Sequence, residues 1–354
     1  MKPLEKNYKR IVIKIGSSLF YSEKEGMNAD FFNNIVKQII ALISSGKEVI
    51  IVSSGAIAFG MHVLGLAFRP KDLPHLQAAA ATGQNLLIES YSNSFKEKKI
   101  NCAQVLLTWE DFRDRKRYLN AKNTLLAILE MKGVPIINEN DTVSTEEIKF
   151  GDNDRLSALV ASLISADLLI ILSDVDGLLD KDKKVIPVVY KITSQIEALA
   201  CPTNKRTCVG GMVTKIAAAK IAVDSGISCV IANGSKKEII SAVINDPQNH
   251  GTLFISKKGL TARKRWIAFG ARPKGIIKVD EGAKNALKNN KSLLCVGVVG
   301  VEGSFESGDI VSLVTSSYLQ IGIGKVGISS KVLSDVKGTR FDKEVIHRDN
   351  IVIL

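Results

Sequence analysis

VPIINENDTVSTEEIKFGDNDRLSALVASLISADLLIILSDVDGLLD, residues 134–180, decides the fold, because polar residues interrupt its apolar runs at their C-terminal ends. Apolar runs at 134–138 and 168–173 are short and continuous, as in strands buried on both faces, and the segment 154–165 between them has helical character. The first run closes on Asn138, Glu139, Asn140 and Asp141, the helical run opens behind Gly151 to Asp154, and the second strand closes on Ser173 and Asp174. Ligands of open α/β sheets bind beyond the carboxyl ends of the strands, so these clusters predict one cleft.

The flanking sequence repeats the layout. Ile11, Val12 and Ile13 lead into Lys14, Gly16, Ser17 and Ser18, and Val49 to Val52 lead into Ser53, Ser54, Gly55 and Ala56. Small residues and donors at a strand end let the backbone approach an anion closely. Lys14, and Lys215 after the pair Gly210 and Gly211, supply cations able to neutralise a transferring phosphoryl group. Strands are expected at 10–15, 48–53, 102–107, 134–138, 168–173 and 228–232, alternating with helices near 28–45, 74–97, 115–131, 154–165, 214–225 and 236–244. That alternation means parallel strands with crossover helices on both faces. After Phe254 the pattern fades, and from about 275 short strands follow (IIKVD, SLLCVGVVGV, DIVSLV, LQIGIGKVGIS), with only Glu281 to Asn289 reading as helix. A compact, mainly β domain fits that end of the chain.

Composition excludes several classes. With 354 residues the chain has room for two domains, and its net charge of +12 (pI about 9.3) is dispersed rather than gathered in a tail. Such a field suits ATP and acidic metabolites as well as nucleic acid. The N-terminal stretch lacks a signal-peptide pattern, and no run approaches the ~20 apolar residues that span a bilayer, so cytoplasmic residence and no membrane are expected. Cys102, Cys229 and Cys295 sit in apolar runs as small hydrophobes; Cys201, Cys208 and the scattered histidines do not have zinc-site spacing.

GxxxxGK[ST] does not occur, and the protein-kinase set of HRD together with DFG is absent. Phosphoryl transfer by another route still needs cations, backbone donors and carboxylates, the chemical types that Lys14, Lys215, Gly16, Gly55, Asp154 and Asp174 supply. Seven stretches then carry a resemblance over almost the whole chain: VIKIGSSL (12–19), VSSGAIAFG (52–60), LLTWEDFRDRKRYLNAKNTL (106–125), PIINENDTVSTEEIKFGDNDRLSALVA (135–161), LSDVDGLL (172–179), GGMVTKIAAAKIA (210–222), and ARKRWIAFG with VDEGAKNAL near 262–287. The sequence resembles the amino acid kinase family, in its glutamate-phosphorylating members, with a C-terminal PUA domain.

The resemblance implies an α/β three-layer sandwich around a mainly parallel sheet over 1–258, a linker at 259–274, and a small mainly β PUA-like domain over 275–354. It implies ATP-dependent phosphorylation of the L-glutamate side chain, with Mg2+ carried on the nucleotide. This would be the first step of proline biosynthesis, with proline as feedback inhibitor, and the product would pass to a glutamate-5-semialdehyde dehydrogenase. By the same resemblance Lys14 and Lys215 face the transferred phosphoryl group and Asp154 orients them. Lys14, Gly16, Ser173, Asp174, Gly210, Gly211, Met212 and Lys215 hold the nucleotide. Ser54, Gly55, Asp141 and Asn153 hold glutamate, the serine and asparagine donating to a carboxylate and Asp141 accepting from the ammonium.

A homodimer or homotetramer is implied too. Cys208 and Val209 depart from the glycine and threonine common before GGM, and so bear on closure of the nucleotide loop. Asp152 suits a helix cap. Other acceptors (aspartate, acetylglutamate, carbamate, a nucleoside monophosphate) share the scaffold. Nucleic-acid binding on an inactive kinase scaffold is the alternative of another class. In the PUA-like segment Lys274, Lys278, Lys284, Lys288 and Lys291 suggest an RNA surface, but Asp280 and Glu281 interrupt it and aromatic residues are sparse.

Overall fold

Apolar runs of six residues, too short for buried helices, become the central strands of the protein. The computed structural model describes residues 8–22, 26–144, 152–200, 211–256 and 259–353. Among them, β1 (Arg10–Ile15), β2 (Glu48–Ser53), β3 (Cys102–Leu107), β4 (Val134–Glu139), β5 (Leu168–Ser173), β6 (Val188–Val189), β7 (Ser228–Asn233) and β8 (Thr252–Phe254) form one sheet. Its order is β3-β4-β2-β1-β5-β7-β8-β6, and every neighbouring pair is parallel except β7 with β8. All of β4 and β5 is buried, as strands covered on both faces must be.

Helices α1 (Ala29–Ser44), α2 (Ala56–Val63), α3 (Leu73–Lys96), α4 (Trp109–Arg113), α5 (Arg115–Glu130), α6 (Asp152–Ile164), α7 (Met212–Asp224) and α8 (Ile239–Asn245) supply the outer layers. One face of the sheet packs on Phe31 and Ile35 of α1, Leu87 and Tyr91 of α3 and Ile240 of α8. On the other face α6 lies against β1 and β5, and α7 against β7. Phe20 is in edge contact with Phe31 and Tyr91, at centroid distances of 5.7 and 6.4 Å, which fixes the turn after β1 to the helical layer. These are the three layers expected. The chain reverses its direction of travel across the sheet at β1, with β2 on one side and β5 on the other, so their carboxyl ends flank a switch point.

Helix α2 was not expected from the sequence. Gly55 starts it at φ +113°, a conformation that favours glycine, and the helix then crosses α3 at backbone contact. A Cβ at Gly60 would stand 1.8 Å from the Ala79 carbonyl oxygen, and one at Gly83 would stand 1.8 Å from the Ala56 oxygen. Below the crossing, the buried Tyr91 hydroxyl meets Ser53 Oγ at 3.1 Å, tying α3 to the end of β2. The start of α2, and Ser54 before it, are therefore held from two directions.

The molecule divides into two units: Met1–Asp111 with Tyr118–Gly259, and Phe112–Arg117 with Leu260–Leu354. In the second, β9 (Gly275–Val279), β10 (Val298–Gly303), β11 (Ile310–Val314), β12 (Gln320–Lys325) and β13 (Ile351–Ile353) form a sheet ordered β10-β9-β11-β12-β13. Asp280 caps the expected helix Glu281–Lys288 by accepting from Ala283 N. A second helix, Ser330–Val336, corrects the expectation of one; it was hidden because Leu333 is its one buried residue. Residues Ala262–Arg265 and Trp266–Gly270, within the stretch expected as a linker, are helical. Trp266 Nε1 donates to the Phe112 carbonyl at 3.2 Å, and the Arg115 guanidinium lies 5.0 Å from the Trp266 ring centre. Cys229 and Cys295 are buried and free, and Cys102 is half-buried. Among the described residues no helix is long and apolar enough to cross a membrane.

The helix crossing yields a stability prediction. Gly60→Ala and Gly83→Ala each force a methyl into backbone atoms, which costs about 1–3 kcal/mol or more. Thermal melts should show each midpoint lowered by several degrees. An unchanged midpoint in either variant would mean that α2 and α3 separate freely.

Candidate active site

Three buried charges form the floor of an open cleft of about 380 Å³ beyond the carboxyl ends of β1, β2, β4 and β5. Lys14 comes from β1, Asp154 from the first turn of α6 and Lys215 from the first turn of α7. Pairing of Lys14 with Val52 and Ile171, and the Gly16 N–H bond of 3.1 Å to the Leu172 carbonyl, fix where the first lysine emerges. Lys14 Nζ lies 2.6 Å from Asp154 Oδ1, and Lys215 Nζ 3.3 Å from Asp154 Oδ2. Asp154 is 1% exposed, Lys14 5% and Lys215 8%. Burial works to raise the Asp154 pKa, but the two lysines outweigh it and hold the carboxyl below its usual range. Burial, assisted by the charge of Lys215, pulls Lys14 below the ordinary lysine value, against the attraction of Asp154. Two cations share one anion, so the floor has one positive charge in excess when all three are ionised.

Thr214, absent from the sequence reading, completes the floor. Its Oγ1 lies 2.7 Å from Asp154 Oδ2 and 2.9 Å from the Gly211 carbonyl oxygen, and its single proton serves one of them at a time. The Lys215 ammonium also reaches that carbonyl, at 3.5 Å. Gly211 stands at φ +67° ahead of α7, so the glycine turn and the carboxylate are joined through one hydroxyl.

A chain of amides builds the adjoining wall. Asn138 at the end of β4 donates to Gln84 of α3 at 2.7 Å and accepts from Asn153 Nδ2 at 2.9 Å; Asn153 Nδ2 also donates to Ser54 Oγ at 2.9 Å. Both N–H bonds of Asn153 are thus engaged within the protein. Its Oδ1 is buried without a hydrogen-bond partner among the described residues, so it offers an acceptor where the sequence suggested a donor. Ser54, accepting from Asn153, keeps its own proton to donate. At the other end Ser173 donates to Asp174 Oδ1 at 2.9 Å.

Lys14, Gly16, Ser54, Gly55, Asp141, Asn153, Asp154, Ser173, Asp174, Gly211 and Lys215, all singled out in the sequence, line this cleft. Met212 opens α7 without lining it, and Gly210, Cys208 and Val209 lie outside the described residues. Asp152 is the first residue of α6, and its expected capping side chain lies outside the description too. Arg69, between α2 and α3, also lines the cleft and went unnoticed, since GLAFRPKD has no periodicity or glycine pattern to flag it. Thr214 had a faint signal in its place beside Lys215.

The chain matches the amino acid kinase family over residues 9–233 and the PUA domain over residues 275–347. It is 46% identical over 363 residues to the glutamate 5-kinase of Caldanaerobacter subterraneus subsp. tengcongensis, which covers 98% of each chain. It is 45% identical to that of Carboxydothermus hydrogenoformans over the full length of both. Among solved structures, the carbamate kinase from Giardia lamblia bound to AMP-PNP aligns with a TM-score of 0.50 and 19% identity, covering 71% of this chain and 99% of that one. At that identity the likeness is one of fold alone.

Asp154→Asn leaves two buried lysines without their anion, a change that costs about 3–5 kcal/mol. Because folding lowers the Asp154 pKa, its contribution is present above the unfolded carboxylate value near ~3.9 and is lost as pH falls through the lower folded value. Denaturant titrations should find the variant less stable at neutral pH, with the gap closing only in acid. A gap that is unchanged down to pH 2 would contradict the ion-pair geometry. Thr214→Val removes a hydrogen bond to a charged group, worth about 1.5–3 kcal/mol, and should cut turnover at least tenfold, whereas Thr214→Ser should keep most of it.

Proposed function

The chain belongs to the amino acid kinase family and, within it, to the glutamate 5-kinases, and on that premise we propose that it transfers the γ-phosphoryl group of ATP to the side-chain carboxylate of L-glutamate. The products are L-glutamyl 5-phosphate and ADP. The carrying observation is the buried floor, in which Lys14 and Lys215 share Asp154 and leave a positive charge facing the cleft. A glutamate carboxylate oxygen forms the new bond to the γ-phosphorus as the bond to the β–γ bridging oxygen breaks, and ADP departs with that electron pair. The attacking carboxylate is already ionised, since it titrates near ~4.3, so the reaction needs no general base. The two lysines disperse the negative charge spread over the transferring group, and Asp154 keeps both aimed at it.

Gly16, Ser173, Asp174 and Gly211, which line the cleft, would hold the nucleotide, with Gly210 and Met212 beside them in sequence. Magnesium, carried on the triphosphate, would neutralise phosphate charge, and the Asp174 carboxylate, fixed by Ser173, suits its water shell. Ser54 would donate to the acceptor carboxylate, with Gly55 keeping the backbone open; Asp141 and the free acceptor of Asn153 would take the ammonium.

We read residues 1–258 as catalytic and 275–354 as an attachment. Three of the lysines that suggested an RNA surface are paired with carboxylates: Lys274 with Asp309 at 2.8 Å, Lys278 with Glu302 at 2.7 Å and Lys284 with Glu281 at 3.0 Å. That pairing lowers the field offered to RNA and favours a structural or regulatory role. The same reading includes feedback inhibition by proline, assembly into a homodimer or homotetramer, and delivery of the hydrolysis-prone acyl phosphate to a glutamate-5-semialdehyde dehydrogenase. Use of ATP and free glutamate is in keeping with residence in the cytoplasm, which the same reading includes.

A turnover screen with ATP, magnesium and hydroxylamine tests the reading against glutamate, aspartate, acetylglutamate, carbamate and UMP. Hydroxamate should form with glutamate, and Lys14→Ala and Lys215→Ala should each lower the rate at least ~100-fold while circular dichroism stays unchanged. Preference for another acceptor, or a folded lysine variant of near-normal rate, would overturn the assignment concerned.

A further inference from the structure

The cleft contains a cation that the transfer chemistry does not use. Among its described lining residues are three cations; Lys14 and Lys215 both hold Asp154, whereas Arg69 feels the carboxylate of Asp141. Burial pulls the half-buried guanidinium below its ordinary pKa and Asp141 works to restore it, so the two groups interact electrostatically. They arrive on separate elements, Arg69 on the connection from α2 to α3 and Asp141 on the 3-10 turn Asp141–Val143 after β4. Gln77 of α3 donates to the Ser144 carbonyl at 3.2 Å, and Asp72 caps α3 by accepting from His75 N at 3.2 Å, so both supports are anchored through the start of α3.

An acceptor whose side-chain carboxylate reaches the two lysines presents an α-ammonium and an α-carboxylate at its other end. Resting on the glutamate reading above, we infer that Arg69 and Asp141 form a receptor for this zwitterion, Arg69 taking the α-carboxylate and Asp141 the α-ammonium. The pair is neutral in sum, as the zwitterion is, so the acceptor enters without adding net charge to that wall. A guanidinium presents five donors in a planar fork that matches the two oxygens of a carboxylate, and retains donors for Asp141 at the same time. Arg69 thereby becomes a specificity residue, which distinguishes an α-amino acid from an amine that bears only the distal carboxylate.

The full chain is assayed as wild type, Arg69→Gln and Arg69→Lys with L-glutamate and with its α-amide, which keeps the side-chain carboxylate and the ammonium but has a neutral group for the α-carboxylate. Constants are read as KM, or as competitive inhibition against glutamate where the α-amide is not turned over. Arg69→Gln should raise the glutamate KM at least ~30-fold with kcat within about threefold, and leave the α-amide constant nearly unchanged. Arg69→Lys, which restores the charge without the fork, should fall between the two. An equal penalty on both compounds, as a merely structural arginine would give, or an unaltered glutamate KM, overturns the inference. Absence of glutamate-dependent hydroxamate in the wild type would instead overturn the functional reading on which it rests.

Discussion

One carboxylate held by two buried lysines is the constraint around which the first unit is arranged. Asp154 is 1% exposed, and an ion so placed survives only with partners at bonding distance. Those partners come from β1 and α7, so the carboxyl ends of β1 and β5 at the centre of the sheet, the first turn of α6 and the glycine turn before α7 must all be in place together. The buried strands make that convergence rigid, since each lysine leaves its element at a position fixed by backbone pairing or helix packing. Attraction among the three charges then completes what the apolar core begins.

The wall beside that floor is organised by different forces. Neutral amides run from Gln84 through Asn138 and Asn153 to Ser54, and the helix crossing at Gly60 and Gly83 sets the position of Ser54. A network of neutral groups orients without the desolvation penalty of further ions, while the buried charges of Lys14, Asp154 and Lys215 meet at the floor. The cleft thus combines a neutral hydrogen-bonded wall with a buried ionic floor.

Much of this was legible in the sequence because buried parallel strands write themselves as uninterrupted apolar runs. The six strand expectations fall on β1 to β5 and β7, and polar residues that close β1, β2, β4 and β5 line the cleft. What escaped notice depends on side-chain direction rather than on residue type. Nothing in KFGDND tells that both N–H bonds of Asn153 are engaged internally, nor in MVTK that Thr214 turns toward Asp154. Helix α2 was missed because small residues and a left-handed glycine lead into it, and Arg69 because it stands on an irregular connection.

The grouping of Phe112–Arg117 with Leu260–Leu354 has a consequence for how the chain is made. On a ribosome adding ~5–20 residues per second, Phe112 emerges on the order of ten seconds before Trp266, whose indole its carbonyl will accept. Throughout that interval Phe112–Arg117 must wait for the rest of their unit, which begins again at Leu260. The second unit therefore cannot close as an independent terminal module, and its completion becomes a late event of long sequence separation, slow by the entropy of the loop it must shut. A nascent chain stalled before Leu260 would carry Phe112–Arg117 without the residues they are grouped with.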